Sequence, residues 1–269
     1  MKKKAYFLAG LFLLILCMSC SMPAEDDALR LEELRERYAV IGEAHNRALD
    51  AVLAEFALQE APASKSARMA QADDVLNGLC IPGWDVPLST DREKDLAAKI
   101  VSALRPAGLL SKTSVNADVV EDLSDSLSII REHRDIFDSI SVILDAPAGQ
   151  DEKIRRLEAL YLYIDACVMP EEDKLSLMHG LSTILHSLAY WDENMDTWES
   201  TVSAGMGKPA MGIVGAIGII DGVGAVIGTL EGFRDTKPGE DGRAMTIAGR
   251  AVGEAAKTSV YAVLAIILL

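Results

Sequence analysis

The chain has 269 residues, 41 of them acidic and 26 basic, which gives a formal charge of −15 at neutral pH. A polyanion is repelled by such a field, and beyond the first residues no basic run exceeds Arg155 and Arg156, so the charge excludes nucleic acid as a partner. No CxxC or Cys-His spacing accompanies Cys80 or Cys167, and no HExxH occurs, which leaves metal chemistry without a ligand set and implies no cofactor.

At the start, Lys2, Lys3 and Lys4 precede an uncharged apolar stretch from Ala5 to Met18. This is the layout of a secretory signal peptide, and the stretch is short for a permanent membrane span. The run Cys17, Met18, Ser19, Cys20 resembles the lipobox of bacterial lipoproteins, with Cys17 where leucine is usual and Ser19 as the small residue before the cut. That resemblance implies cleavage after residue 19, lipid on Cys20 and attachment to a membrane. An ordinary signal peptide cut near Ser19 or later is the alternative. Removing the three lysines leaves 23 basic against 41 acidic residues, a balance of −18. Residues 20–30 then read as a tether. Its Glu25, Asp26 and Asp27 resemble the acidic stretch that directs some Bacteroidetes lipoproteins to the cell surface, or simply solvate the tether. The expected location is the cell envelope, lipid-anchored, at the outer membrane.

Apolar residues from Leu31 through Tyr38, Ile41 and Leu49 to Phe56 recur at helical spacing and predict a long amphipathic helix that stops near Pro62. The segment from Cys80 to Pro87 is too rich in turn residues to be helical throughout. A second helix is expected from the Ser89, Thr90, Asp91 cap to Pro106, because Glu93 completes a capping box. A third carries the stripe from Val119 to Leu144, broken at Arg134. Two more are expected over 151–168 and from Pro170 to about Trp191, the latter opened by Glu171, Glu172 and Asp173. Alternating strand patterns are almost absent. The fold class is therefore all-α: a helical bundle over 31–200 followed by a glycine-rich helical hairpin over 203–269.

That hairpin has two arms, Ala210 to Leu230 and Met245 to Leu269, parted by a polar loop with Pro238 and Gly239. The first arm carries one charge, Asp221, and is long enough to cross a bilayer. The four-residue spacing of Gly218 and Gly222, of Gly224 and Gly228, and of Gly249 and Gly253 resembles a glycine zipper, through which the two arms are expected to face each other. Either membrane insertion or burial against the soluble helices follows from this pattern. A carboxylate at mid-membrane costs roughly 2.5 kcal/mol, so Asp221 argues for burial.

The string from Gly42 to Asp50 contains Gly-x-x-His-Asn-x-x-Leu-Asp, in which Gly42, His45 and Asn46 form a motif of unassigned role. Together with Ser187, Tyr190, Trp191 and the glycine-rich tail, it resembles exported bacterial lipoproteins of uncharacterised role, notably from Bacteroidetes. The resemblance implies kinship and no activity. On a helix, His45 and Asn46 suit bonding to a neighbouring helix. A hydrolase reading makes His45 a general base with partners from elsewhere, but no nucleophile motif accompanies it. His179 and His186 lie two turns apart, too far to share one metal, and His133 reads as part of a solvated face. Cys80 and Cys167 either pair as a disulfide in an oxidising compartment or remain thiols. The function expected is a membrane-anchored envelope protein with a structural or interaction role and a possible protein partner or self-association. The alternatives are a toxin-like, pore-forming hairpin and a hydrolase.

Overall fold

The computed structural model describes residues 25–59, 64–81, 120, 127–202 and 211–267. The expected lipid site at Cys20 and the expected helix from Ser89 to Pro106 lie outside these residues. Among the described residues there are eight helices and no strand: α1 Glu25–Leu58, α2 Lys65–Gly78, α3 Ser128–Glu132, α4 Arg134–Asp145, α5 Gln150–Ala166, α6 Glu171–Val202, α7 Met211–Asp235 and α8 Arg243–Ile267. An all-α bundle is thus the fold.

Several boundaries depart from the pattern in the sequence. The helix α1 begins at Glu25, inside the span read as a tether, because the acidic residues there suit a helix N-terminus. The helix α6 runs eleven residues past Trp191, to Val202. Its extra turns place Met195, Trp198 and Val202 in the core, a stripe that continues the earlier one. The break expected at Arg134 falls one residue earlier, at His133, which leaves helical geometry and separates α3 from α4.

Side-chain pairs fix the helix directions. Tyr38 meets Ser182, and Phe56 meets Trp198, so α1 and α6 run parallel. Arg30 and Arg35 of α1 reach Asp165 and Glu158 of α5 at 3.0 and 3.1 Å, which sets α5 antiparallel to α1. His179 bonds Thr229 and Leu188 abuts Gly218, so α7 returns antiparallel to α6. The helix α8 then runs back along α7, after a turn in which Gly239 and Gly242 adopt φ of 80° and 78°, a conformation costly for residues with a side chain.

Three helices that lack a basic residue in their last turn receive one from a following or distant element. Lys153 reaches the Leu144 carbonyl of α4, and Lys174 the Asp165 carbonyl of α5, each at 2.6 Å. Buried Arg68 donates to the Val202 carbonyl of α6 at 2.9 Å. Each cation satisfies an unpaired carbonyl and complements the negative end of the helix dipole.

Two apolar cores result. One gathers Leu34, Phe137, Ile140, Leu157, Ile164 and Leu181 with Ile219 and Val223 of α7. The other gathers Leu49, Phe56, Leu76, Trp191 and Trp198 with Ile217 of α7 and Val252 of α8. The C-terminal hairpin therefore supplies the centre of the bundle and is not an appendage to it. The stretch Val214–Asp235 is long and apolar enough to span a membrane, and 78% of its apolar window is buried inside the protein.

Candidate functional site: a sealed polar cluster at Asp221

Glycine brings the helices close enough for the cluster to form. A Cβ on Gly42 would strike the His186 ring, so the bare backbone of α1 seats that imidazole. Gly180 of α6 and Gly222 of α7 cross at backbone contact: a Cβ on Gly222 would lie 2.9 Å from the Gly180 carbonyl. On the other side of α7, Gly224, Gly228 and Gly232 meet the backbone of α8 at Ala255, Arg250 and Ile247. This corrects the expected arrangement of the zipper. Gly224 and Gly228 do face the second arm, but Gly218 and Gly222 face Leu188 and Ile184 of α6. Residues separated by two, as 222 and 224 are, point about 200° apart around a helix, so the two sets serve different neighbours. Gly249 and Gly253 are buried on α8.

At the α6 crossing lies Asp221, completely buried. Ser187 donates its hydroxyl to Asp221 Oδ2, and Trp191 donates its indole N–H to the same oxygen at 3.1 Å. Ser187 and Trp191 are four apart on α6 and so share one face. From α1, the Nε2 of completely buried His45 stands 3.7 Å from Oδ2, beyond hydrogen-bonding distance. The rest of the His45 ring is fixed by Asn46. The Asn46 amide nitrogen donates to the His186 carbonyl at 3.1 Å, which turns its oxygen toward His45 Nδ1 at 3.0 Å. Nδ1 therefore carries the proton, and Nε2 presents a lone pair toward the carboxyl. On α8, Ser259 is beside the same carboxyl without a hydrogen bond of its own.

Electrostatics follow from burial. Desolvation pushes the Asp221 carboxyl up to about 7, against the Ser187 hydroxyl and Trp191 indole donors and the neighbouring Ser259, which lower it. Desolvation drives His45 down to about 4, and the nearby His186 adds to the fall while Asn46 opposes it. Near neutral pH, His45 is thus uncharged beside an acid that burial makes far easier to protonate than an ordinary aspartate.

The motif residues, though distant in sequence, thus meet in one cluster: Ser187 and Trp191 bond the Asp221 carboxyl, His45 stands beside it, Asn46 holds His45, and Gly42 seats His186. Tyr190 belongs to the neighbouring layer, accepting from Trp198 Nε1 at 3.0 Å. Chemically the arrangement is ordered for packing. His45 is held by an amide, and Ser187 directs its proton at Asp221 rather than at an imidazole nitrogen, so no hydroxyl is activated by His45. All four of His45, Ser187, Trp191 and Asp221 are completely buried, which closes them to a substrate.

The remaining candidates are dispersed. His179 bonds Thr229 at 2.9 Å inside the core. His133, expected on a solvated face, is instead mostly buried and pairs with Asp173 at 3.1 Å, joining α4 to the start of α6. Cys80 and Cys167 are free thiols, the first exposed and the second half-buried, so no disulfide joins them. No group of metal-ligating side chains occurs among the described residues. Asp221 appears in the sequence only as a charge interrupting an apolar span. The signal that identifies it is the coincidence of that charge with two other polar interruptions of apolar helix faces, His45 and Ser187, since each needs a buried partner. No protein-family model, curated protein or solved structure matches the chain.

Proposed function

We propose that this chain is an exported envelope protein, held to a membrane by lipid on Cys20, whose helical body acts through structure and interaction rather than through a reaction. The observation that carries the second half of this reading is the complete burial of His45 and Asp221 between four helices. Groups able to exchange protons are committed there to joining α1, α6, α7 and α8. The first half rests on Lys2 to Lys4, the apolar run and the Ser19, Cys20 junction. Metabolic labelling with a lipid precursor tests it. Incorporation into the wild type and none into Cys20→Ala is expected, and equal labelling of both, or an intact Met1 segment by mass spectrometry, overturns it.

A second reading, insertion of the hairpin into a membrane, draws on the length and apolarity of Val214–Asp235. Against it stand Asp221, Glu254 and Lys257, all buried near the middle of the two arms, each of which costs roughly 2.5 kcal/mol or more at mid-bilayer. Protein lacking the acyl group separates the two: it stays out of liposomes if the hairpin is core, and partitions into them if the hairpin inserts.

A further inference from the structure

The lipid proposed for Cys20 fixes which part of the bundle meets the membrane. Five backbone steps separate Cys20 from Glu25, the first residue of α1, and at about 3.6 Å per step they reach no farther than about 18 Å. The end of the bundle that carries the start of α1 must therefore lie close to the bilayer. The Arg30 to Asp165 ion pair, at 3.0 Å, brings the end of α5 and the turn before α6 to that end. Gly232 packed on Ile247 brings the α7–α8 turn there as well, because α7 runs antiparallel to α6.

Three of the six large apolar side chains exposed among the described residues lie at that end, and Leu58, 82% exposed, lies at the far one, so the reach of the anchor is what chooses between the two ends. Leu29 is 69% exposed, Val168 fully so, and Met245 59%. Leu29 adjoins Arg30, Val168 lies three residues beyond Asp165, and Met245 is the third residue of α8, so each sits on a different element of one end. Singly exposed apolar side chains are ordinary in water, and at a lipid surface they gain by burial.

We infer that the end of the bundle bearing Leu29, Val168 and Met245 rests on the bilayer that holds the Cys20 lipid. The charge at that end selects the kind of surface. Acidic residues outnumber basic ones there: Glu25, Asp26 and Asp27 open α1, Glu171, Glu172 and Asp173 open α6, and Glu240 and Asp241 lie in the α7–α8 turn, against Arg30, Lys174, Lys237 and Arg243. Acidic side chains are repelled by anionic headgroups, so the fit is to a zwitterionic surface. This orientation rests on the lipid-anchor reading, with the far end of the bundle, where Leu58 closes α1, directed away.

The test places a tryptophan in turn at Leu29, Val168 and Met245, and at Leu58 as the distal control, in the full acylated chain. Each variant is mixed with zwitterionic vesicles whose acyl chains carry bromine, a contact quencher. With the parent emission subtracted, most of the added emission should be lost for Leu29→Trp, Val168→Trp and Met245→Trp and none for Leu58→Trp. Raising the share of anionic lipid at low salt should reduce the quenching. If the acylated protein floats with the vesicles yet the three proximal probes are unquenched, or are quenched no more than Leu58→Trp, the orientation is wrong and the anchor stands. If Cys20 carries no lipid and the chain does not float, the anchor fails and the orientation with it.

Discussion

A carboxyl placed among three apolar helices would ordinarily be a defect, and Asp221 is tolerated because Ser187 and Trp191 both donate to it. Its pH dependence follows from the direction of the shift. With a folded value near 7 against an ordinary 3.8, the folded state holds a proton the unfolded state has released, so stability falls as pH rises from about 4 to about 7 and then levels off. Glu254, raised to about 8 by burial and by Glu231, acts in the same direction. His45 and His179, both lowered to about 4 by burial, lose stability in the opposite sense, as pH falls from their ordinary 6.5. The two effects offset each other between about pH 4 and 6.5, and above that range only the carboxyls act. Thermal melts of Asp221→Asn and wild type should therefore diverge from about pH 4 to 7, the variant losing less stability over that interval. An unchanged divergence would mean that Asp221 is ionised in the folded state. Ser187→Ala should cost about 1 to 3 kcal/mol at neutral pH by stripping a donor from a buried acceptor, measurable by denaturant unfolding.

Within α7 the glycines divide their work, and this is where the sequence stops being informative. The periodicity of Gly218, Gly222, Gly224 and Gly228 announces close helix contact, and the stripes from Leu31 to Phe56 and from Val119 to Leu144 announce helices. Which neighbour each glycine meets depends on the rotation of α7 between α6 and α8, a tertiary property that no local spacing encodes. His133 shows the same limit, since only the approach of α6 gives it Asp173 as a partner. The positional difference among glycines is testable. Gly228→Ala drives a methyl into the Arg250 carbonyl and the Ala251 backbone, which cannot yield as a side chain would, and should cost about 3 kcal/mol. At Gly78, the last residue of α2, a Cβ meets nothing, and Gly78→Ala should gain about 0.5 kcal/mol. Calorimetric melts of the pair check both signs together.

For the whole molecule, the sharing of α7 between two cores predicts that neither core survives without it. A chain ending at Val202 loses Ile219, Ile220 and Val223 from one cluster and Ile217 and Ala225 from the other. It should show the far-ultraviolet signal of a largely unfolded chain, and the intact protein should unfold in one cooperative transition detected alike by Trp191 fluorescence and by helicity. A stable, helical truncated chain would show that the hairpin is dispensable.

The parallel pairing of α1 with α6 also decides when the protein can fold. The bonds that close it are distant in sequence, Tyr38 to Ser182 across 144 residues and Asn46 to His186 across 140, and the bond from Tyr261 of α8 to Asp73 of α2 spans 188. Helical proteins ordinarily fold fast because their contacts are local, and here the decisive contacts are among the most distant available. The principal partners of α1 are α5, α6 and α8, all of which lie in the second half of the chain. In the exported reading proposed above, a precursor threading a translocation channel must stay unfolded, and this topology favours that state by placing the principal partners of α1 in the second half of the chain.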